Sequence, residues 1–213
     1  MIFNKDNLTR FGLSIGRFKD GNLLEEASKI GNVFHPKGMP SIQSLIPKPV
    51  EIASSNTYSG NYGYADFPYN TDLPHWHIPP RYLLLICETP DISVLTKVIN
   101  WNKILEQLDQ DVIKRARFIP RKPLNNRIHR LKISDGELNR WDPLFITPVN
   151  QSGLMISEFL KNFDFDSHAE QINLSERGEF ILLDNWKTLH ARSPVPQSSK
   201  RLIHRIFLSK LHN

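Results

Sequence analysis

Prolines divide the first two-thirds of this 213-residue chain into short segments. They stand at positions 36, 40, 47, 49, 68, 74, 79, 80, 90, 120 and 123. Proline has no backbone N–H, so it interrupts helix interiors and central strands. A chain broken in this way favours many short strands with a few peripheral helices, as in a β-sandwich or an open barrel. A parallel α/β sheet would need a regular alternation of strands and helices, which the sequence lacks.

Hydrophobic patterning predicts four strands. A continuous apolar run after Pro79-Pro80 is typical of a buried strand with a defined start. The predicted strands are Arg81 to Cys87, Arg127 to Ile133, Glu179 to Asp184 and Arg201 to Leu208. The second is the weakest, because Ile128 falls on the face opposite Leu131 and Ile133.

Three segments have helical periodicity. A short helix is expected to open near Asn22, and Asn150 or Ser152 could cap the last helix. The apolar positions of the three are Leu23, Leu24, Ala27 and Ile30; Ile104, Leu105, Leu108 and Val112; and Ile156, Phe159, Leu160 and Phe163. The second set predicts one continuous amphipathic helix.

Composition is ordinary for a globular protein, with 39% apolar and 23% charged residues. The length predicts a single domain over residues 1–213. The longest apolar stretch, around Tyr82 to Cys87, is too short to cross a bilayer, and no signal peptide is visible. Cys87 is the single cysteine and cannot form an internal disulfide. These features predict a cytoplasmic protein without a membrane partner.

The net charge of +5 is concentrated in one basic stretch. Its residues are Lys114, Arg115, Arg117, Arg121, Lys122, Arg127, Arg130 and Lys132. Such a stretch could contact nucleic acid or an anionic substrate. Apart from Phe118, the stretch has no Phe, Tyr or Trp interleaved with its basic residues, as single-strand binders require, so a solvated surface is the preferred interpretation.

Two arginines share one face of the last predicted strand. Alternate side chains of a strand point the same way, so Arg201, Ile203, Arg205 and Phe207 lie together. Guanidinium groups beside apolar neighbours require an anion or a solvated cavity. Their two-pronged geometry suits carboxylates. This pattern predicts an anion site, and the alternative is a pair of surface arginines on an edge strand.

Asn70, Asp72 and His190 are candidate metal ligands. Asn70 and Asp72 are two apart in an extended stretch, so both can face one point, as His-x-Asp does in non-haem iron oxygenases. His190 follows the strand that ends at Asp184, and it is expected in a loop before Pro194 and Pro196. Such iron sites use two imidazoles and one carboxylate, but position 70 offers only an amide. The alternatives are turn chemistry for Asn70 and Asp72 and an ordinary partly buried histidine.

A nearby His-Trp-His sequence contains two further imidazoles, His75 and His77. One of them could replace the missing imidazole. Pro74, Pro79 and Pro80 stiffen the loop and oppose this.

Two ordered blocks resemble the taurine dioxygenase superfamily and its clavaminate synthase-like branch. The first is Phe67-Pro-Tyr-Asn-Thr-Asp-Leu-Pro-His-Trp76, followed by Pro79-Pro-Arg-Tyr82 and the apolar strand. The second is Gly178 to His190, with Asp184-Asn-Trp186, followed by Arg201 to Leu208. The resemblance covers about residues 60 to 87 and 170 to the end.

The resemblance implies a mainly β fold with peripheral helices, the double-stranded β-helix or jelly roll. It implies Fe(II) as cofactor and 2-oxoglutarate as cosubstrate. Asp72 and His190 would bind the iron, with Asn70 in the place of the first histidine. Arg201 would bind the distal carboxylate of 2-oxoglutarate, helped by a hydroxyl from Thr96 or Ser93. Arg205 would lie between cosubstrate and substrate, and the substrate-side candidates are Tyr64, His75 and Trp76.

Three functional hypotheses follow. The first is an oxidoreductase that hydroxylates a small metabolite while 2-oxoglutarate is decarboxylated to succinate. The second is a catalytically silent jelly-roll protein that keeps Arg201 and Arg205 as an anion pocket. The third is nucleic-acid binding or demethylation through the basic stretch. Three explanations are open for the amide at position 70. The site could bind iron weakly and still turn over, or it could have lost its redox chemistry and survive as a binding protein. Alternatively, a histidine could have been replaced by Asn70 in this particular sequence.

Overall fold

The structure is a computed structural model that describes residues 3–19, 21–123 and 127–212. The helices are Lys5–Phe11 (α1), Leu23–Ile30 (α2), Ser59–Tyr62 (α3), Asn102–Leu105 (α4), Gln110–Arg115 (α5) and Gln151–Asn162 (α6), with a 3-10 helix at Val50–Ile52. The strands are Leu13–Arg17 (β1), Gly31–Phe34 (β2), Gln43–Leu45 (β3), Phe67–Asn70 (β4), Tyr82–Thr89 (β5), Leu95–Asn100 (β6), Phe118–Pro120 (β7), Ser134–Asp135 (β8), Leu138–Asn139 (β9), Ile146–Pro148 (β10), Glu170–Asn173 (β11), Glu179–Asp184 (β12), Thr188–Arg192 (β13) and Leu202–Leu211 (β14).

Two antiparallel sheets form the centre of the fold. The larger has the order β1-β12-β5-β14-β2, and β3 also pairs with β14. The smaller has the order β11-β6-β13-β4. Non-consecutive strands are therefore neighbours throughout, as in a jelly roll. This mainly β architecture with peripheral helices confirms the fold class predicted from the sequence.

The apolar core between the sheets follows the alternation of the strands. Leu83, Leu85 and Cys87 of β5 point inward, as do Ile203 and Phe207 of β14, and they meet residues from the smaller sheet. The opposite face of the larger sheet packs on α1 and α2, where Leu84, Ile86, Ile206 and Leu208 are buried. Since Arg201 and Arg205 share the face of Ile203 and Phe207, both arginines point into the space between the sheets.

A separate cluster covers the outer face of the smaller sheet. Ile99 and Leu189 contribute from β6 and β13, and Ile104, Ile113 and Ile156 contribute from α4, α5 and α6. The site strands β4 and β13 are therefore fixed by packing on one side and open toward the larger sheet on the other.

Side-chain caps set the helix boundaries that the sequence predicted. Asn22 accepts hydrogen bonds from Leu24 N and Glu25 N at the start of α2. Asn150, rather than Ser152, caps α6 by accepting from Gly153 N. Both caps satisfy backbone donors that a helix N-terminus leaves free.

Three local predictions were wrong. The periodic segment from Ile104 to Val112 forms two short helices, because Asp109 caps a new helix by accepting from Asp111 N and Val112 N. Arg127 to Ile133 is not a strand, and Leu131 contributes only an isolated bridge to Phe118. His190 was placed in a loop, but it lies within β13, where pairing with both β6 and β4 extends the chain.

Candidate active site

Asn185 joins the two parts of the chain that carry the candidate ligands. Its Oδ1 accepts from Asp72 N at 2.7 Å. Its Nδ2 donates to the carbonyl oxygens of Asp72 and Pro80, both at 3.0 Å. All of Asn185 is buried. The turn after β12 therefore acts as a clamp on the segment after β4. The two distant parts of the chain that carry the candidate ligands are in contact, as the sequence analysis required.

His190 faces the same region from the neighbouring strand. It lies opposite Asn70 in the antiparallel register of β13 and β4. Burial lowers the pKa of His190, Asp72 opposes this shift, and Arg205 adds to it. The imidazole is thus kept neutral, with a lone pair on one ring nitrogen. Its Nδ1 is buried and has no hydrogen-bond partner among the described residues.

Arg205 lies directly on Asp72. Its Nη1 donates to Asp72 Oδ1 at 2.9 Å and to Asp72 Oδ2 at 3.1 Å. Its Nε donates to Gln43 Oε1 at 3.1 Å, and its Nη2 contacts the same oxygen. The resemblance placed Arg205 between cosubstrate and substrate. In the structure, its charged partner is the candidate metal ligand itself.

Arg201 is a buried cation, with 8% of its surface exposed. Its Nη2 lies 3.5 Å from the hydroxyl of Thr96 on β6. It forms no ion pair within the described residues, and burial lowers its pKa. Ser93 is not part of this group, because its hydroxyl donates to Asp91. Of the two hydroxyls considered from the sequence, the structure brings only that of Thr96 to Arg201.

No second imidazole joins His190 to complete the candidate metal site. The Nδ2 of Asn70 donates to the Thr71 carbonyl at 3.3 Å. The ring of His75 packs 5.7 Å from that of Phe145, and the ring of His77 lies 6.0 Å from that of His129. Within the described part of the chain, no three His, Cys, Asp or Glu side chains are grouped to hold a metal ion. The structure therefore does not bring His75 or His77 in to replace the missing ligand.

The substrate-side candidates are dispersed. Trp76 packs edge-on against Phe34, with ring centroids 6.1 Å apart. His75 has a buried Nδ1 without a partner among the described residues, and burial lowers its pKa. For Tyr64, the contact that the structure shows is a backbone one, in which its carbonyl accepts from Val195 N. The roles of these three residues stay predictions.

The loop after Asp72 is held in an unusual backbone conformation. Leu73 has a φ of 53°, in the left-handed region that bulky residues rarely adopt. The buried guanidinium of Arg140 donates to the carbonyls of Pro74, Trp76 and His77. Thr71 N donates to the Trp141 carbonyl at 2.8 Å. The segment around Arg140 thus holds the loop that follows Asp72 in place. No sequence pattern indicated this role.

Asp142 and Tyr58 form a buried acidic pair that sequence reasoning missed. Asp142 is 1% exposed, and its Oδ1 accepts from Leu144 N and Phe145 N. Tyr58 interacts electrostatically with Asp142, but neither Tyr58 Oη nor Asp142 Oδ2 completes a hydrogen bond of normal geometry. The pKa of Asp142 is raised to about 7, mainly by burial, and the charge of Asp72 acts in the same direction. Asp72 also raises the pKa of Tyr58, so the pair lies within electrostatic range of the candidate metal ligand.

We expect Asp142 to make the protein less stable as the pH rises. Its folded pKa lies above the unfolded value of about 3.9, so the folded state binds more protons between the two values. Its stabilising effect is complete below about pH 4 and is lost as the pH rises through about 7. Asp142→Asn should unfold at higher urea concentration than the wild type at pH 8, and the gain should shrink toward pH 5. A gain that is equal at both pH values would contradict this assignment.

The donor set could offer a divalent metal ion one carboxylate and one imidazole, rather than one carboxylate and two imidazoles. Asp72 would supply the carboxylate, and the neutral His190 would supply an imidazole whose Nδ1 has no hydrogen-bond partner among the described residues. Both donors are ordinary ligands for Fe(II). Asn70 adds an amide oxygen, a poorer donor than imidazole.

Comparison with known proteins gives similarity in fold rather than in sequence. No protein-family model matches the sequence, and a search of curated proteins finds no match. An asparagine oxygenase solved with Fe(II), 3-hydroxyasparagine and succinate is 20% identical, with a TM-score of 0.65 over 84% of this chain and 60% of that one. The present chain thus spans less than two-thirds of that protein's length.

Two further structures extend this similarity. A taurine dioxygenase from Burkholderia xenovorans is 17% identical, with a TM-score of 0.68 over 98% of this chain and 80% of that one. The non-heme iron oxygenase OrfP, solved with Fe, succinate and (3S)-hydroxy-L-arginine, is 15% identical, with a TM-score of 0.68 over 94% of this chain and 77% of that one. These comparisons show a shared fold.

Proposed function

We propose that this chain, which has the double-stranded β-helix fold of the taurine dioxygenase-like oxygenases, is an Fe(II)- and 2-oxoglutarate-dependent oxidoreductase. The overall reaction would combine substrate, O₂ and 2-oxoglutarate to give hydroxylated substrate, succinate and CO₂. One observation supports this most strongly. A carboxylate, a neutral imidazole and a buried guanidinium that forms no ion pair among the described residues, from Asp72, His190 and Arg201, converge on the space between the two sheets.

Asp72 and His190 would hold the metal. When bound, Fe(II) supplies the activation of dioxygen that protein side chains cannot provide. The protein contributes position and charge. Asn185 fixes the backbone of Asp72 from both sides, and the register of β13 and β4 fixes His190. Burial keeps the imidazole neutral, so a metal ion would not compete with a proton near neutral pH.

Arg201 and Thr96 would bind the distal carboxylate of 2-oxoglutarate. Arg201 is buried and forms no direct ion pair in the described part of the chain, so an arriving carboxylate would gain a guanidinium partner and neutralise a buried charge. Thr96 would add a hydroxyl donor from the facing sheet. The apolar neighbours Ile203 and Phe207 exclude water from the interior side of β14.

The primary substrate would be a small metabolite that bears a carboxylate or an amine. The asparagine oxygenase and OrfP were solved with hydroxylated amino acids, which suits this class. In this chain, Tyr58 Oη and Asp142 Oδ2 are buried polar atoms that complete no hydrogen bond of normal geometry among the described residues, and both groups interact electrostatically with Asp72. His75 adds a third such group near Phe145.

The test is oxygen-dependent formation of succinate. Purified protein with Fe(II), 2-oxoglutarate and a panel of amino acids and amines should form succinate and consume O₂. Arg201→Met should weaken 2-oxoglutarate binding at least about tenfold, because it removes the carboxylate's charged partner. Lys200→Met, which removes an exposed positive charge at the adjacent position, should leave binding unchanged. Equal binding by both variants would contradict the role of Arg201.

A second candidate function is a metal-independent anion-binding protein. It is favoured by the Arg205–Asp72 ion pair, which compensates the charge of Asp72 without any metal. In that case 2-oxoglutarate would bind equally well with and without Fe(II), and no succinate would form with any substrate. Measuring 2-oxoglutarate binding with and without Fe(II), together with succinate formation, therefore separates the two functions.

A further inference from the structure

Arg205 uses its guanidinium to join two partners. Its Nη1 donates to both carboxylate oxygens of Asp72, at 2.9 and 3.1 Å. The other edge, Nε and Nη2, meets the single oxygen Oε1 of Gln43, which lies opposite Arg205 in the pairing of β3 with β14. Gln43 is neutral, so Asp72 is the one charged group that Arg205 pairs with among the described residues.

Asp72 requires such a partner. It is 8% exposed, and an ionised carboxylate at this depth is strongly disfavoured without a compensating cation. In the described structure Arg205 supplies that cation. A divalent metal ion bound to Asp72 would be a second cation on the same two oxygens. The guanidinium and the metal would then repel each other and compete for the same lone pairs.

An acid anion offers Arg205 another partner. Arg205 and Arg201 point into the same interior space from one strand face, and Arg201 forms no ion pair among the described residues. A dicarboxylate could therefore bind Arg201 with one end and approach Arg205 with the other. A carboxylate that binds the Nη1 edge of Arg205 would take over the hydrogen bonds now made to Asp72.

We infer that Arg205 is an internal counter-cation of Asp72, which a metal ion must displace and which a bound acid anion releases. This inference rests on the proposed metal site at Asp72 and His190. Metal and anion then bind cooperatively, and each raises the affinity of the other by the same factor. The coupling comes from Arg205, in addition to any direct bond between anion and metal.

The experiment measures Mn(II) affinity by calorimetry, with and without glutarate. Glutarate has the two carboxylates of 2-oxoglutarate but no keto oxygen, so it cannot chelate the metal through a keto acid group. In the wild type, saturating glutarate should raise the Mn(II) affinity about tenfold, within the usual range of coupling between sites. Mn(II) should raise the glutarate affinity by the same factor.

Two variants isolate the role of Arg205. Arg205→Met should raise the Mn(II) affinity measured without glutarate about tenfold, since the competing cation is gone. Gln43→Leu keeps the charge of Arg205 but removes the group that holds it in place, so it should give a smaller rise. Lys210→Met is the matched control, because it removes an exposed positive charge from the same strand. It should behave like the wild type in both titrations.

Three outcomes would overturn the inference. The first is a Mn(II) affinity that falls in Arg205→Met, and the second is one that stays unchanged in both Arg205→Met and Gln43→Leu. If Arg205→Met does not fold, Gln43→Leu decides alone. The third is an absence of Mn(II) binding in the wild type and in Asn70→His, which would also overturn the proposed function. Binding that depends on Asp72 but not on Arg205 would leave the proposed function standing.

Discussion

Replacing Asn70 with histidine should raise the affinity for Fe(II) by at least about 10- to 100-fold. In other metal sites, affinity falls by this factor when a residue that only hydrogen-bonds to a ligand is removed, and here a ligand itself is gained. Asn70 is buried and lies directly opposite His190 in the strand register, so a new imidazole there would face the same space. Imidazole is a far better donor to Fe(II) than an amide oxygen. Calorimetric titration under anaerobic conditions, followed by oxygen uptake with 2-oxoglutarate, would measure both effects.

Asn70→Leu is the matched control for this substitution, because it keeps a side chain of similar size without any donor atom. If the amide oxygen of Asn70 binds the metal, this variant should bind Fe(II) more weakly than the wild type. If Asn70→His and Asn70→Leu both match the wild type, position 70 does not contribute to the site. The ligand set would then have to be sought elsewhere in the fold.

Removing the side chain of Asn185 should destabilise the fold by at least about 3 kcal/mol and abolish metal binding. Asn185→Ala would leave three buried groups without their partner, the backbone N–H and carbonyl of Asp72 and the carbonyl of Pro80. Each buried unsatisfied group costs about 1–3 kcal/mol. The denaturant midpoint should fall while the m-value stays the same.

Asn162→Ala provides the comparison for this prediction. Asn162 is exposed at the end of α6, and its side chain hydrogen-bonds to Glu158 alone within the described structure, so its loss should change stability by about 0.5 kcal/mol or less. If Asn185→Ala were as mild as Asn162→Ala, the buried clamp between the two segments would not hold Asp72. The proposed site would then lose the element that assembles it.

Sequence patterns correctly predicted those parts of the fold that are determined by residues close together along the chain. The strand from Glu179 to Asp184 is bounded by Gly178 and a turn, and the structure gives the same limits. The caps at Asn22 and Asn150 act within three residues of themselves. The break before α5 also has a local signal, because Asp109 is a good helix cap. The apolar periodicity continues across this break, however, and it led to the prediction of one continuous helix.

Other features depend on partners that no local pattern reveals. His190 lies in a strand because β6 and β4 pair with it on both sides. Arg205 and Asp72 are 133 positions apart, and only the closed fold brings them into contact. Asp142 carried no motif, because its importance comes from burial beside Tyr58 and Asp72. The candidate ligands could therefore be chosen from the sequence, whereas their charge partners could not.

The most direct measurement is an anomalous difference map at the iron absorption edge, from crystals grown anaerobically with Fe(II) and 2-oxoglutarate. The proposed site predicts a single iron peak about 2.2 Å from an oxygen of Asp72 and a ring nitrogen of His190, the usual length of metal bonds to such ligands. It also predicts a carboxylate of 2-oxoglutarate on Arg201. Iron bound elsewhere, or a dicarboxylate on Arg201 with no iron at Asp72, would contradict it.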